Sequence, residues 1–226
     1  MANLGRIDYL SAWELQKDLV RQVSRNERPP VLLLLEHPRV YTVGRRGDRS
    51  QVRLDTAGLE RLSVALYETD RGGQVTYHGP GQLVAYPIIN LRAWGGPLKY
   101  VRVLEQVMVR TLADYGITAG LVDGLTGVWV ENAKVGAIGV KISGGVAHHG
   151  LSLNVAPCLD YYRHIVPCGI EDREVTSMAK LLERTPDQEM VEYSLQYHFG
   201  KLMELQMVEV EAKYLAEPQA ITPTNR

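Results

Sequence analysis

The feature that most constrains this chain is a glycine-punctuated run of β texture from 127 to 155. Gly127 to Val130 reads as a short strand, Glu131-Asn132-Ala133 as a turn, and Lys134 to Ser143 as a second strand. Gly144-Gly145 then reverses the chain into a third strand, Val146 to Val155. Consecutive strands joined by tight turns make a meander, which needs helices or a second sheet to cover it.

The flanking segments supply that cover. Ser11-Ala12-Trp13-Glu14 reads as a capping box opening a helix that buries Ala12, Leu15, Leu19 and Val23 and stops before Arg28-Pro29-Pro30. Val31 to Leu35 is a continuous apolar run, the pattern of a strand covered on both faces. Tyr41-Thr42-Val43, Val64 to Glu68 and Leu83 to Tyr86 are further strands, the last expected to stop at Pro87. Pro97 suits the first turn of a long helix that turns Val101, Leu104, Met108 and Leu112 inward and ends at Gly116. Thr185-Pro186-Asp187-Gln188 is a second capping box, with proline at the first helical position. Helices and strands do not alternate regularly. The expected fold class is therefore α/β (α+β), a mixed sheet flanked by helices, rather than a doubly wound parallel sheet. With 226 residues, no repeat and no linker, one domain is expected over 1–217, followed by a polar tail at 218–226.

Composition removes several function classes. A formal charge of −1 argues against a nucleic-acid binder working through bulk positive charge. No apolar run approaches the ~18 residues of a membrane span, and the N-terminus lacks a signal-peptide pattern. The two cysteines, Cys158 and Cys168, imply no disulfide framework and suit a cytoplasmic protein with reduced thiols.

Chemistry concentrates in a few places. Arg71, Gly72, Gly73, Gln74, Val75, Thr76, Tyr77 and His78 open a run, continued by Gly79-Pro80-Gly81-Gln82, whose glycines let backbone N–H groups approach a ligand. In it Arg71 is a candidate clamp for an anion and His78 a candidate proton carrier; the run also reads as a loop of turn glycines with one hydrogen-bonded histidine. Cys168, between Pro167 and Gly169, sits where a thiol can face a cleft, and Gly169 leaves its backbone N–H open to an incoming carbonyl, though the sequence assigns no oxyanion-hole donor. Cys158 also follows a proline, so local setting does not separate the two thiols. Lys134 opens a strand, and reads either as a solvated edge residue or as a cation that stabilises a thiolate. His148 and His149, adjacent on a strand, are expected on opposite faces, with His149 in the core. Neither stands at metal-ligand spacing from a cysteine or acid in the sequence, so no metal site is expected.

At these residues the chain resembles the lipoyl(octanoyl) transferases, octanoyl-carrier-protein:protein N-octanoyltransferases. The likeness covers nearly the whole chain. It is carried by Leu35-Glu36-His37-Pro38, the run from Arg71 to Pro87, Gly127-Val128-Trp129-Val130, Lys134-Val135-Gly136-Ala137-Ile138-Gly139, His149-Gly150-Leu151-Ser152-Leu153-Asn154-Val155 and Pro167-Cys168-Gly169. Each motif alone is weak; all of them in order are specific. The resemblance implies a fold similar to the catalytic domain of biotin and lipoate protein ligases. It makes Cys168 the thioester nucleophile and Lys134 the partner that lowers its pKa, and it leaves Cys158 a bystander. Arg71 to His78, Ala137, Ile138 and Gly139, and Gly150, Leu151 and Ser152 are implied to line an acyl pocket. The residues after Gly169, including Glu171 and Asp172, fit the family's pattern loosely and take no role.

The implied reaction moves octanoyl from octanoyl-acyl carrier protein to the lysine of a lipoyl domain, with no cofactor and no ATP, at the start of protein lipoylation. The implied acceptors are the lipoyl domains of 2-oxoacid dehydrogenase complexes and the glycine cleavage H protein. An ATP-dependent lipoate or biotin protein ligase is the rival of the same fold, a non-catalytic acyl-carrier binding module the rival of another class, and a cysteine hydrolase a weaker third. Between Arg39 and Arg53 five arginines and one acid give a local charge of 5 − 1 = +4, a candidate docking surface for an acidic carrier or a plain solvated loop.

Overall fold

The apolar run at Val31 to Leu35 is buried along its whole length, and what covers it defines the architecture. The computed structural model describes residues 1–92, 94–166 and 174–215. In chain order the elements are β1 (Ala2–Arg6), α1 (Tyr9–Ser24), β2 (Val31–Glu36), β3 (Val40–Val43), α2 (Thr56–Arg61), β4 (Ala65–Glu68), β5 (Val75–His78), β6 (Gln82–Asn90), α3 (Pro97–Ala113), β7 (Gly120–Val122), β8 (Leu125–Val130), β9 (Ala133–Ser143), β10 (Val146–Asn154), β11 (Glu174–Val175), α4 (Met178–Leu182) and α5 (Gln188–Met203).

The large sheet runs β1-β2-β6-β10-β9-β8-β7, with β11 added beside β9; the small sheet runs β4-β3-β5. Parallel pairs (β1 with β2, β11 with β9, β3 with β4) mix with antiparallel ones, as the irregular element order requires. Alternation along β2 sends Val31, Leu33 and Leu35 to one face against Ala12, Leu19 and Val23 of α1. Leu32 and Leu34 go to the other, against Tyr100, Leu104 and Met108 of α3 and Val191, Leu195 and Phe199 of α5. Each such leucine, removed from water, contributes about 2 kcal/mol.

The helix caps sit elsewhere than the sequence suggests. Asp8, not Ser11, caps α1, its carboxylate accepting from the Leu10 and Ser11 N–H groups. Asp187, not Thr185, caps α5, which leaves Pro186 ahead of the helix. In both places an acid nearer the first turn reaches the free N–H groups and outcompetes the hydroxyl. In α3 the proline is at the first turn as expected, but the buried aromatic is Tyr100 and Val101 is only half-buried.

Pro87 does not stop its strand. It pairs with Leu32 of β2 in the middle of β6. On the other side of β6 the pairing with β10 is interrupted between Ala147↔Ile89 and Leu151↔Ala85. There His149 has left the extended conformation, with φ at 53°, and its N–H donates to Gln16 Oε1 at 2.7 Å instead of to the sheet. A proline, which lacks an N–H, is therefore accommodated inside a central strand. Gly150 completes the arrangement, since a Cβ on it would stand 2.7 Å from Pro87 Cδ and collide with the Ala85 carbonyl. The same bond explains Gln16, a buried polar residue on the apolar face of α1.

Candidate active site

The small sheet lies over the middle of the large one, and a cavity of about 280 Å³ opens between them. One wall is the glycine run: Arg71, Gly73, Gln74, Val75, Thr76 and His78. The facing wall comes from β9 and β10: Lys134, Ala137, Ile138 and Gly139, then Gly150, Leu151 and Ser152. Motifs some seventy residues apart in sequence thus meet. Gly72 and Tyr77 belong to the glycine run but do not line the cavity. The Gly72 N–H donates to Val140 O at 3.0 Å and ties the two walls. Tyr77 turns away, because β5 alternates, and stacks on Tyr161 at 5.0 Å.

Arg71 is a brace rather than a free clamp. It is 6% exposed, its Nε donates to Thr42 Oγ1, and its terminal nitrogens donate to the carbonyls of Thr42, Gly72 and Gln74. These bonds fix the glycine run in its curled shape. Packing is close around them: a Cβ on Gly44 would come within 2.5 Å of Gly73 O, and one on Gly139 within 2.9 Å of Gly72 O.

His78 is buried and its pKa is pushed down to about 3, chiefly by loss of solvation. It is therefore neutral at pH 7. Its tautomer follows from its neighbours. Gln82 uses Nε2 on Tyr77 O and Asn154 Oδ1, so its Oε1 must accept from His78 Nδ1, 2.6 Å away. The Nε2 of His78 is left with its lone pair. His37 is fixed in the same way: Nδ1 donates to Ile7 O, Nε2 accepts from the Tyr86 hydroxyl, and burial brings its pKa to about 4.

Several residues of the site were not singled out in the sequence. Tyr9, Tyr86 and Trp129 line the cavity. Asp70 accepts from His149 Nε2 at 2.7 Å and from Lys141 Nζ at 2.6 Å. Those two donors, the histidine first, hold its carboxyl well below the ordinary carboxylate range. Asp70 immediately precedes the glycine run, and that adjacency was the available signal. His148 and His149 do not point to opposite faces. The left-handed backbone at His149 breaks the alternation, and the two rings stack at 5.0 Å with 27° between their planes.

Lys134 lines the cavity, and its ammonium lies 4.7 Å from the centre of the Trp129 ring. Its backbone pairs with Val175 of β11, and its carbonyl accepts from Thr176 N–H at 2.9 Å. Upstream, Val166 N–H donates to Gln51 O at 2.9 Å, and Gln51 Nε2 reaches Gln74 Oε1 on the cavity wall at 3.3 Å. Cys168, with Pro167, Gly169, Ile170, Glu171 and Asp172, lies outside the described residues, as does the tail after Pro218. Cys158 is exposed at the start of a 3-10 turn, Leu159–His164, away from the cavity lining.

Residues 8–200 match the family model of the lipoyl protein ligase A/B catalytic domain. The chain belongs to this family. The octanoyltransferase of Solibacter usitatus is 47% identical over 209 residues, 92% of this chain and 94% of that one, which puts the chain among the octanoyltransferases. Its fold is similar to a lipoate-protein ligase A crystallised with ATP, at a TM-score of 0.75 and 14% identity, over 96% of this chain and 94% of that one. A biotin protein ligase from Aquifex aeolicus follows at 0.52 and 16%, over 90% and 69%. At such identities the two structures speak to the fold alone, and it is the fold that the sequence led us to expect.

Proposed function

We propose that this protein is a cytoplasmic octanoyltransferase that moves octanoyl from an acyl carrier protein to the lysine of a lipoyl domain. Its catalytic unit spans residues 1–217. Cys168 is the nucleophile and Lys134 its proton partner. The observation that carries the reading is the cavity on which the two glycine-rich walls and Lys134 converge. The ends of the chain segment holding Cys168 are anchored beside it, Val166 through Gln51 to the Gln74 wall and Val175 directly on Lys134.

The chemistry then balances without an activated nucleotide. The Cys168 thiolate attacks the carbonyl of the octanoyl thioester, a new S–C bond forms, and the carrier's thiolate leaves and takes a proton. One thioester replaces another at little cost. The lysine amine of a lipoyl domain next attacks the acyl-enzyme, its proton passes to the enzyme, and the more stable amide leaves Cys168 free. An unperturbed thiol, with a pKa of ~8.5, is only a few per cent ionised at pH 7. A neighbouring ammonium that brings it to ~7 contributes about 2 kcal/mol, within the range of a single close charge. The acyl chain lies against Val75, Ile138 and Leu151; Arg71, Gly73 to Thr76 and His78 make one side of its pocket, and Ala137 to Gly139 with Gly150 to Ser152 the other. The arginines of 39–53 steer the acidic carrier: Arg45 and Arg46 are exposed, and Arg46 also stands on the cavity rim.

Mixing the protein with octanoyl-carrier protein and an apo lipoyl domain, with no ATP, tests the reading. Octanoylated lipoyl domain is the expected product, for domains of 2-oxoacid dehydrogenase complexes and for glycine cleavage H protein. Transfer from free octanoate that requires ATP overturns it in favour of a ligase. Binding of the acylated carrier without transfer overturns it in favour of a binding module.

A further inference from the structure

Two adjacent residues of a strand ordinarily face opposite ways, yet His148 and His149 lie side by side. The cause is a left-handed backbone at a non-glycine residue, His149, a conformation that persists only where the surroundings enforce it. Here the His149 N–H is held by Gln16, and the ring by Asp70. Asp70 reaches the pair from the loop between β4 and β5 of the small sheet, 78 residues before His148. As a result one nitrogen of each imidazole and one carboxylate oxygen lie within 4.8 Å of one another.

A second observation points to a ligand. His148 Nδ1 is buried without a well-formed hydrogen bond, the Val146 backbone lying beside its ring, and His149 Nδ1 is buried and has no hydrogen-bond partner among the described residues. The side chains are 3% and 1% exposed, so water does not satisfy them at the surface. A buried ring nitrogen in that condition is costly, and two in contact rings call for an explanation. Asp70 is less buried and gives the cluster an opening.

We propose that Asp70, His148 and His149 bind a divalent transition-metal ion of the zinc class. Two imidazoles and one carboxylate are a donor set such ions take, with a fourth position left for water. At bond lengths of about 2.1 Å, ligand atoms of a tetrahedral site stand about 3.4 Å apart, so small side-chain rotations close the cluster. Lys141 is the built-in competitor: its ammonium holds Asp70 Oδ2 at 2.6 Å, and a cation entering the site contends with it for the same carboxylate. His149 also lines the acyl cavity, but metal binding by the cluster is measured without any acyl-transfer step, so its test is separate from that reading.

The test uses the untagged full-length chain with both cysteines changed to alanine, so that no thiolate competes for metal. Zn2+ is titrated calorimetrically, and Co2+ is followed by the visible absorption of a tetrahedral ion. One ion per chain is expected. His148→Phe and Asp70→Asn should each weaken binding at least about tenfold, and Lys141→Met should tighten it. Circular dichroism establishes that each variant is folded, and the two ligand variants serve as checks on each other. Absence of binding in the parent, equal binding in a folded His148→Phe or Asp70→Asn, or weaker binding in Lys141→Met overturns the proposal.

Discussion

His37 and His78 make the stability of this protein depend on pH in a way the structure specifies. Both are buried, with pKa values brought down to about 4 and about 3. In the unfolded chain each takes up a proton below about 6.5, while the folded chain keeps both neutral. Stability is therefore lost as pH falls through 6.5, and the loss continues until the folded values are reached. Between pH 7 and pH 5 each histidine removes about 2 kcal/mol, from ~1.4 kcal/mol per pH unit. The pair removes about 4 kcal/mol, a large share of the 5–15 kcal/mol typical of a domain. Urea denaturation followed by circular dichroism at both pH values reads this directly. His37→Gln, which removes one titrating group, should reduce the pH-dependent loss by that group's own share, about 2 kcal/mol. Equal stability at pH 7 and pH 5, or an unchanged loss in His37→Gln, refutes the reasoning.

Other outcomes follow from the same contacts. Gly150→Ala should destabilise the protein by about 3 kcal/mol or more in urea denaturation, because its Cβ meets the main chain of Ala85 and the Pro87 ring, which cannot give way. Lys134→Arg should leave Cys168 readily alkylated yet transfer acyl poorly, since a guanidinium holds its proton to above pH ~12; turnover equal to the parent excludes proton transfer by Lys134. Reversing Arg45 and Arg46 to Glu should slow association with the carrier and flatten its dependence on salt in stopped-flow measurements, and unchanged rates at low salt remove the docking role.

Much of this was legible in the chain. The Val31–Leu35 run declared a strand covered twice, and Gly144-Gly145 declared the turn between β9 and β10. The meander and the long helix at Pro97 were readable because apolar periodicity and turn glycines agree there. The helix caps were misread locally, but the misreadings around the site turned on partners distant in sequence. Pro87 reads as a strand breaker until His149 is seen turning out of the ladder on Gln16. Strict alternation splits His148 from His149 unless the positive φ is known. Arg71 looks like an anion clamp until Thr42 is found occupying its guanidinium. For the site, the motifs named most of the cavity wall. Asp70 and Lys141 escaped because their significance lies only in the contact between the two sheets.

The account turns on a covalent octanoyl group at Cys168, and intact mass measurement after incubation with octanoyl-carrier protein, without acceptor, addresses it directly. The expected result is one octanoyl adduct per chain, released by hydroxylamine as thioesters are and mapped by peptide analysis to Cys168. It should be absent in Cys168→Ala, retained in Cys158→Ala, and discharged when apo lipoyl domain is added. An adduct on Cys158, or octanoyl transfer at a comparable rate by Cys168→Ala, contradicts the account.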